Sequence, residues 1–262
     1  MSKKSSVMNV EKPVFSLSLN TLKYIAVAAM LIDHIAFSFV TEGSTLAIMM
    51  HFIGKIAGPI MFFAAVEGYH HTQNLNRYLA RLAAFAVISW VPFIYFRYGE
   101  ISMGANLLRP NVIYTILLGV LAVHIRRACK NSFVKTTLIL ALIVLCIPAD
   151  WGTLGIIIII VFDYFYGNFN QQAFGYSLLV LLYVGVLNTL IYPFQNFIFF
   201  QNYGVDADYF LDSAENIGMF IPIVFLRFYK NQKSKSGHFS KWFFYIVYPL
   251  HMLILGFLQT IL

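Results

Sequence analysis

The chain carries little charge for its size. Asp, Glu, Lys and Arg make up 11% of its 262 residues, while 60% are hydrophobic. An average soluble domain has roughly 25% charged residues to cover its surface. A water-soluble globule is therefore excluded, and lipid is the solvent the composition fits. Glycine (16) and proline (8) are too scarce for a collagen-like or low-complexity chain, and two cysteines exclude a disulfide scaffold. Cys129 lies in a basic loop and Cys146 near the far end of the next apolar run, about 25 Å apart if that run is helical, which is beyond disulfide reach. The signatures of soluble enzymes are missing as well: no GxSxG, no P-loop, no HExxH and no GxGxxG on a strand. Adjacent residues of a helix point about 100° apart, so His70–His71 is a poor metal pair and no metal is expected. The lysines and arginines behind the net charge of +7 fall between apolar runs. None builds a basic helix with interleaved aromatics, which argues against nucleic acid and for a membrane.

What the sequence does have is a succession of long apolar runs. Only helices and closed barrels satisfy every backbone group in hydrocarbon, and a barrel shows roughly ten-residue alternating segments instead. The expected fold is an all-α, polytopic transmembrane helix bundle with spans near 17–40, 46–69, 77–96, 111–127, 133–149, 153–167, 172–194, 212–230 and 241–262. That makes nine helices in a range of eight to ten, because the sixth run, from Gly152 through Ile160, is short. Residues 1–16 form a polar, basic segment expected to remain in the mature protein, since the run after it is too long for a cleaved signal and contains Asp33 and His34.

Lys3, Lys4, Lys12, Lys23, Arg77, Arg81, Arg126, Arg127, Lys130, Lys135, Arg227, Lys230, Lys233, Lys235 and Lys241 fall on one side if nine helices alternate. Glu42, Arg97, Glu100, Arg109, Asp150, Asp206, Asp208 and Asp212 fall on the other. The positive-inside rule then places the N-terminus in the cytoplasm. No repeat of helix pairs is visible, so a single domain over 1–262 is the simplest organisation.

An ionisable group at bilayer depth costs several kcal/mol unless it is paired or lines a wet cavity, so each one is a functional candidate. Asp33 and His34 sit about two thirds along the first span, and Lys55, on the antiparallel second span, reaches a similar depth. His51 and Lys55 are spaced i,i+4 on one face, and Gly54, Gly58 and Pro59 permit close approach or a break. A plain Asp33–Lys55 ion pair is the structural alternative. Near the basic end, Glu67, His70, His71, Arg77 and Arg81 form a cationic and polar cluster suited to the phosphates of a cytosolic cofactor, though positive-inside bias alone gives a similar pattern. On the outer side, Asn111, Tyr114, Thr115, Asp150, Trp151, Asp212, Glu215 and Asn216 open helices or fill turns. In the last span, Pro249 and His251 fit a kinked helix with a mid-depth imidazole.

Several pieces of this pattern resemble the TraX family of bacterial membrane proteins, named for the conjugal-transfer protein that acetylates the N-terminus of pilin. They are Leu22-Lys23 followed by Met30-Leu31-Ile32-Asp33-His34; Ile53-Gly54-Lys55 with Pro59; Glu67-Gly68 with His71-Thr72, Asn74, Tyr78 and Arg81-Leu82; Ser89 with Pro92; Ala149-Asp150-Trp151-Gly152 with Gly155; and Tyr245 with Tyr248-Pro249 and His251. They run in family order over about residues 20–255. The resemblance implies a multispan acetyltransferase of the bacterial cytoplasmic membrane, distantly similar to the broader membrane acyltransferases that use acetyl-CoA.

Acetyl transfer needs a base, an oxyanion stabiliser and a donor site. His34 is the expected base, Asp33 its electrostatic partner and Lys55 the oxyanion stabiliser, with His251 as second choice for base or acyl carrier. Arg77, Arg81, His70, His71 and Glu67 form the expected donor site, and Asn111, Asp150 and Glu215 the acceptor side. The acceptor is a pilin-like peptide N-terminus or a glycan hydroxyl. Two other classes stay open: a proton-coupled transporter or channel using Asp33, His34, Lys55 and Glu67 as a relay, and a non-catalytic membrane assembly protein.

Overall fold

A computed structural model describes residues 16–99, 108–191, 213–230 and 238–261. Lys3, Lys4, Lys12, Glu100, Asp206, Asp208, Asp212, Lys233 and Lys235 of the charge argument lie outside the described residues. Within them the chain is helical, with one isolated parallel bridge between Leu17 and Tyr229. The helices are α1 (Leu19–Phe39), α2 (Thr45–Gly54), α3 (Ala57–His71), α4 (Leu75–Ile88), α5 (Trp90–Tyr98), α6 (Val112–Ala128), α7 (Ser132–Cys146), α8 (Gly152–Tyr164) and α9 (Phe169–Leu181). A π-helical stretch, Leu182–Ile191, continues α9. The 3₁₀ turn Glu215–Phe220 leads into α10 (Pro222–Arg227), and α11 (His238–Ile261) closes the chain.

Local chemistry sets most of the starts. Ser18, Ser44, Asn74, Asn111, Asn131 and Asn168 each cap a helix by accepting backbone N–H groups of its first turn, which satisfies donors that lipid cannot. Prolines mark the interruptions. Pro59 and Pro92 stand in the first turns of α3 and α5, where a missing N–H costs nothing. The second and third expected spans are thus each two helices in tandem.

Four helical stretches are long and apolar enough to cross a membrane: Leu19–Phe39, Thr45–His71, Leu75–Tyr98 and Trp242–Ile261. The protein is a membrane protein on this ground. α7 and α8 are apolar but shorter, about 20 Å of rise against a hydrocarbon core of about 30 Å. These lengths support a helical membrane fold of several apolar helices.

The core between α1, α3, α4, α6, α8 and α11 includes Leu22, Ile60, Phe62, Val120, Phe162 and Met252, all essentially inaccessible. Gly54 and Gly58 make two close approaches possible: a methyl at Gly54 would overlap the Asp33 side chain, and one at Gly58 the indole of Trp151. One end of the bundle, called the basic end below, holds Lys23, Arg81, Arg126, Arg127 and Arg227. α11 runs alongside α1, with Phe244 against Tyr24 near that end and His251 against His34 further in.

Candidate functional site

A cavity of about 1200 Å³ penetrates the bundle. Its walls include Asn20, Lys23 and Arg81 at the basic end, Asp33, His34 and Lys55 in the middle, and Glu42, Arg97 and Arg109 at the opposite end. One continuous space therefore touches both ends of the bundle.

In the middle, side chains from α1, α2, α11 and the 3₁₀ turn meet. His251 Nδ1 lies 2.7 Å from the Val247 carbonyl, one turn back on α11. A carbonyl only accepts, so Nδ1 carries the proton and the Nε2 of the neutral ring is an acceptor. His34 Nδ1 is 2.7 Å from that Nε2 and must donate to it. Neutral His34 then holds its lone pair on Nε2, 4.0 Å from Asp33 Oδ2. The chain of bonds, rather than either imidazole alone, selects the tautomer that can take up a proton. The two rings are nearly parallel, and Phe96 flanks His34 at 4.9 Å.

Asp33 spends its other oxygen on His51, whose Nδ1–H donates to Oδ1 at 2.8 Å. Lys55, the residue closing α2, pairs with Glu215 Oε1 at 2.7 Å. The Asp33–Lys55 ion pair weighed as the structural alternative is therefore not formed: Asp33 goes to His51, and Lys55 reaches across to the 3₁₀ turn. Depth along the spans put these residues at one level, but which way each points depends on the break after Gly54.

Toward the opposite end, Asp150 occupies the turn between α7 and α8 and lines the cavity. Burial pushes its carboxyl up to about 6, against the opposing pull of Arg97. Thr115 donates to the Asp150 carbonyl at 2.5 Å. Trp151 follows in a left-handed conformation, φ +63°, with its indole against Gly58 and edge-on to Phe62. That conformation is costly for a large side chain. Arg97 lies over the Phe37 ring, 4.3 Å from its centroid.

The residues expected to bind a donor divide into two groups. Arg81 and His71 line the cavity, whereas Arg77 is exposed on α4 and outside the lining. His70 is held elsewhere: its Nε2–H donates to Asp163 at 2.8 Å, and its ring stacks on Tyr166. Asp163 is fully buried and also bonded by Arg126 and Arg127. Glu67, 3% exposed, accepts from the Tyr229 hydroxyl at 3.0 Å and stands 3.4 Å from His71 Nδ1. Both therefore serve as internal ties outside the lining.

On the expected acceptor side, Asp150 and Glu215 face the cavity. Asn111 does not: its side chain caps α6 and donates to the Ala86 carbonyl at 2.8 Å. Among the described residues no group of three His, Cys, Asp or Glu could hold a metal.

Sequence reasoning left out of its site two residues of the cavity wall, His51 and Lys23, and the buried anchor Asp163 outside that wall. His51 had a signal, since it shares a helix face with Lys55. Lys23 had one too, a lysine inside an apolar span. Asp163 hid in an isoleucine run, and only its position across the hairpin from Arg126-Arg127 pointed to it.

Comparison with known proteins agrees with the arrangement of motifs along the chain. The TraX protein family model matches residues 18–259. The chain belongs to the TraX family. This TraX-family chain is 29% identical over 240 residues to a Dichelobacter nodosus protein named "Probable fimbrial assembly protein FimC, serogroup H1", covering 89% of this chain and 92% of that one. No solved structure matches it.

Proposed function

We propose that this TraX-family protein is a membrane-embedded acetyltransferase that takes an acetyl group from acetyl-CoA and passes it to an amine or hydroxyl acceptor. The setting is the bacterial cytoplasmic membrane, with the basic end toward the cytoplasm. The acceptor class is a pilin-like peptide N-terminus or a glycan, the former favoured by the relative's fimbrial name. The observation that carries the reading is the bonded series from the Val247 carbonyl through His251 to His34, which leaves an imidazole lone pair in a cavity reaching both ends.

In this mechanism the acceptor attacks the thioester carbonyl while His34 Nε2 removes its proton. The resulting imidazolium sits near the Asp33 carboxylate, which is oriented by His51. Lys55 Nζ has N–H groups left over from its bond to Glu215 and is the candidate to stabilise the tetrahedral oxyanion. Collapse breaks the C–S bond, the thiolate takes the proton back from His34, and acetylated acceptor and free CoA remain. His251 acts as a positioning residue that fixes the His34 tautomer.

The test supplies labelled acetyl-CoA and peptide or glycan acceptors to the purified protein in proteoliposomes. Folded His34→Ala should transfer at least about 100-fold more slowly. Unchanged transfer removes the assignment. The series His51–Asp33–His34–His251 also favours a second reading, a proton-coupled transporter. That reading predicts acceptor-independent proton flux in liposomes, which the enzyme reading does not.

A further inference from the structure

At the basic end of the cavity two cations lack the partners that other buried charges have. Lys23, one turn into α1, rests over the Phe244 ring with Nζ 5.4 Å from the centroid. Arg81 is within reach of the Tyr245 hydroxyl and the Tyr78 ring, and its Nε is buried with no hydrogen-bond partner. Phe244 and Tyr245 are neighbours on α11, so the two cations lie against the same turn of one helix, and both line the cavity there. Among the described residues no carboxylate pairs with either. Partly buried like charges with no counter-ion are costly, and a mobile anion relieves that cost where a fixed carboxylate is absent. His71, with Nδ1 turned to the Glu67 carbonyl at 2.9 Å, also lines this end.

The distance to the reaction centre narrows the anion further. Lys23 and His34 are eleven residues apart on the same straight helix, about 16 Å of rise, and both line the same cavity. We infer that Lys23 and Arg81 form a phosphate clamp for a soluble ligand carrying its phosphate at one end of a long arm and its reactive group at the other. A phosphopantetheine arm has this form. The inference rests on the acetyltransferase reading for the identity of the arm, but the clamp itself is a binding site and can be tested without turnover. A short acyl donor such as acetyl phosphate cannot hold the clamp and reach His34 together.

The same cations would also suit the phosphate of an anionic lipid, so the experiment separates the two sources. The protein is reconstituted in phosphatidylcholine nanodiscs, and coenzyme A and pantetheine, which lacks the phosphates, are titrated by calorimetry. Coenzyme A should bind at least about ten-fold more tightly than pantetheine. Lys23→Ala and Arg81→Gln should each reduce that preference, and the double variant should abolish it. Arg77→Ala, on the exposed face of α4, should leave it intact. His34→Ala should bind coenzyme A normally, so unchanged transfer with normal binding counts against the catalytic reading and spares the clamp. The clamp is overturned if coenzyme A and pantetheine bind alike, or if the double variant keeps the preference. It is also overturned if neither compound binds and phosphatidylglycerol, added to the nanodiscs, instead raises thermal stability through Lys23 and Arg81, because the site would then belong to lipid.

Discussion

Two groups of ionisable side chains lie inside this bundle, and they are built differently. Around Asp163, three donors from α3 and α6 converge on a carboxylate with no exposure. Every charge in that cluster has an internal partner and none of its four members lines the cavity. Around His34 the bonds end in open space: an imidazole lone pair, spare Lys55 N–H groups and the Asp33 carboxylate all border the cavity. A saturated cluster holds helices together, while one with unused valence at a cavity wall is available for chemistry. Composition cannot separate the two, since both are histidines, acids and bases on apolar helices.

The sharpest way to break this comparison is to exchange the expected effects. On the functional side, His34→Ala should lower acetyl transfer by about 10²- to 10⁴-fold with little change in unfolding temperature, read by transfer assay and thermal denaturation of the same sample. On the structural side, Asp163→Ala leaves two arginines and a histidine without their carboxylate and should cost about 3–5 kcal/mol of stability, visible as a large drop in unfolding temperature. A folded Asp163→Ala that is as stable as the parent would dissolve the distinction. Glu215→Gln should act more mildly, because it removes the anion from Lys55 and leaves the amine in place. A KM or kcat change of up to about ten-fold is expected, with no such change if Lys55 takes no part.

The smallest effect concerns Asp150. Its native carboxyl titrates near 6 because of burial, above the ordinary carboxylate range near 4. The folded protein therefore holds this proton more tightly than the unfolded chain. The contribution to stability is full below about pH 4 and is lost as pH rises to about 6. Asp150→Asn should flatten this component of the pH dependence of unfolding temperature, and an unaltered slope would show that Asp150 does not carry it.

Much of the architecture was legible before any coordinates. Apolar runs located the helices, and Ser or Asn caps together with Pro59 and Pro92 explain their starts and interruptions. Asp33, His34 and Lys55, read at one depth, all line one cavity, and His251 is bonded to His34 outside that lining. The pairings were not legible, because position along a span gives depth and leaves rotation and cross-helix contact open. Hence Lys55 finds Glu215 instead of Asp33, and His70, read as part of a cofactor cluster, is drawn to a buried acid that sequence hides among isoleucines. Asn111 shows the same limit, since a cap and a ligand-facing amide look alike in one dimension.

The most direct test of the account is single-turnover acetyl transfer from acetyl-CoA by wild-type protein and His34→Ala in the same proteoliposomes, with and without added imidazole. Transfer by the wild type, its loss in the variant and partial recovery with imidazole are the predicted result. Equal transfer by the two proteins, or none by a folded wild type across amine and hydroxyl acceptors, would contradict it.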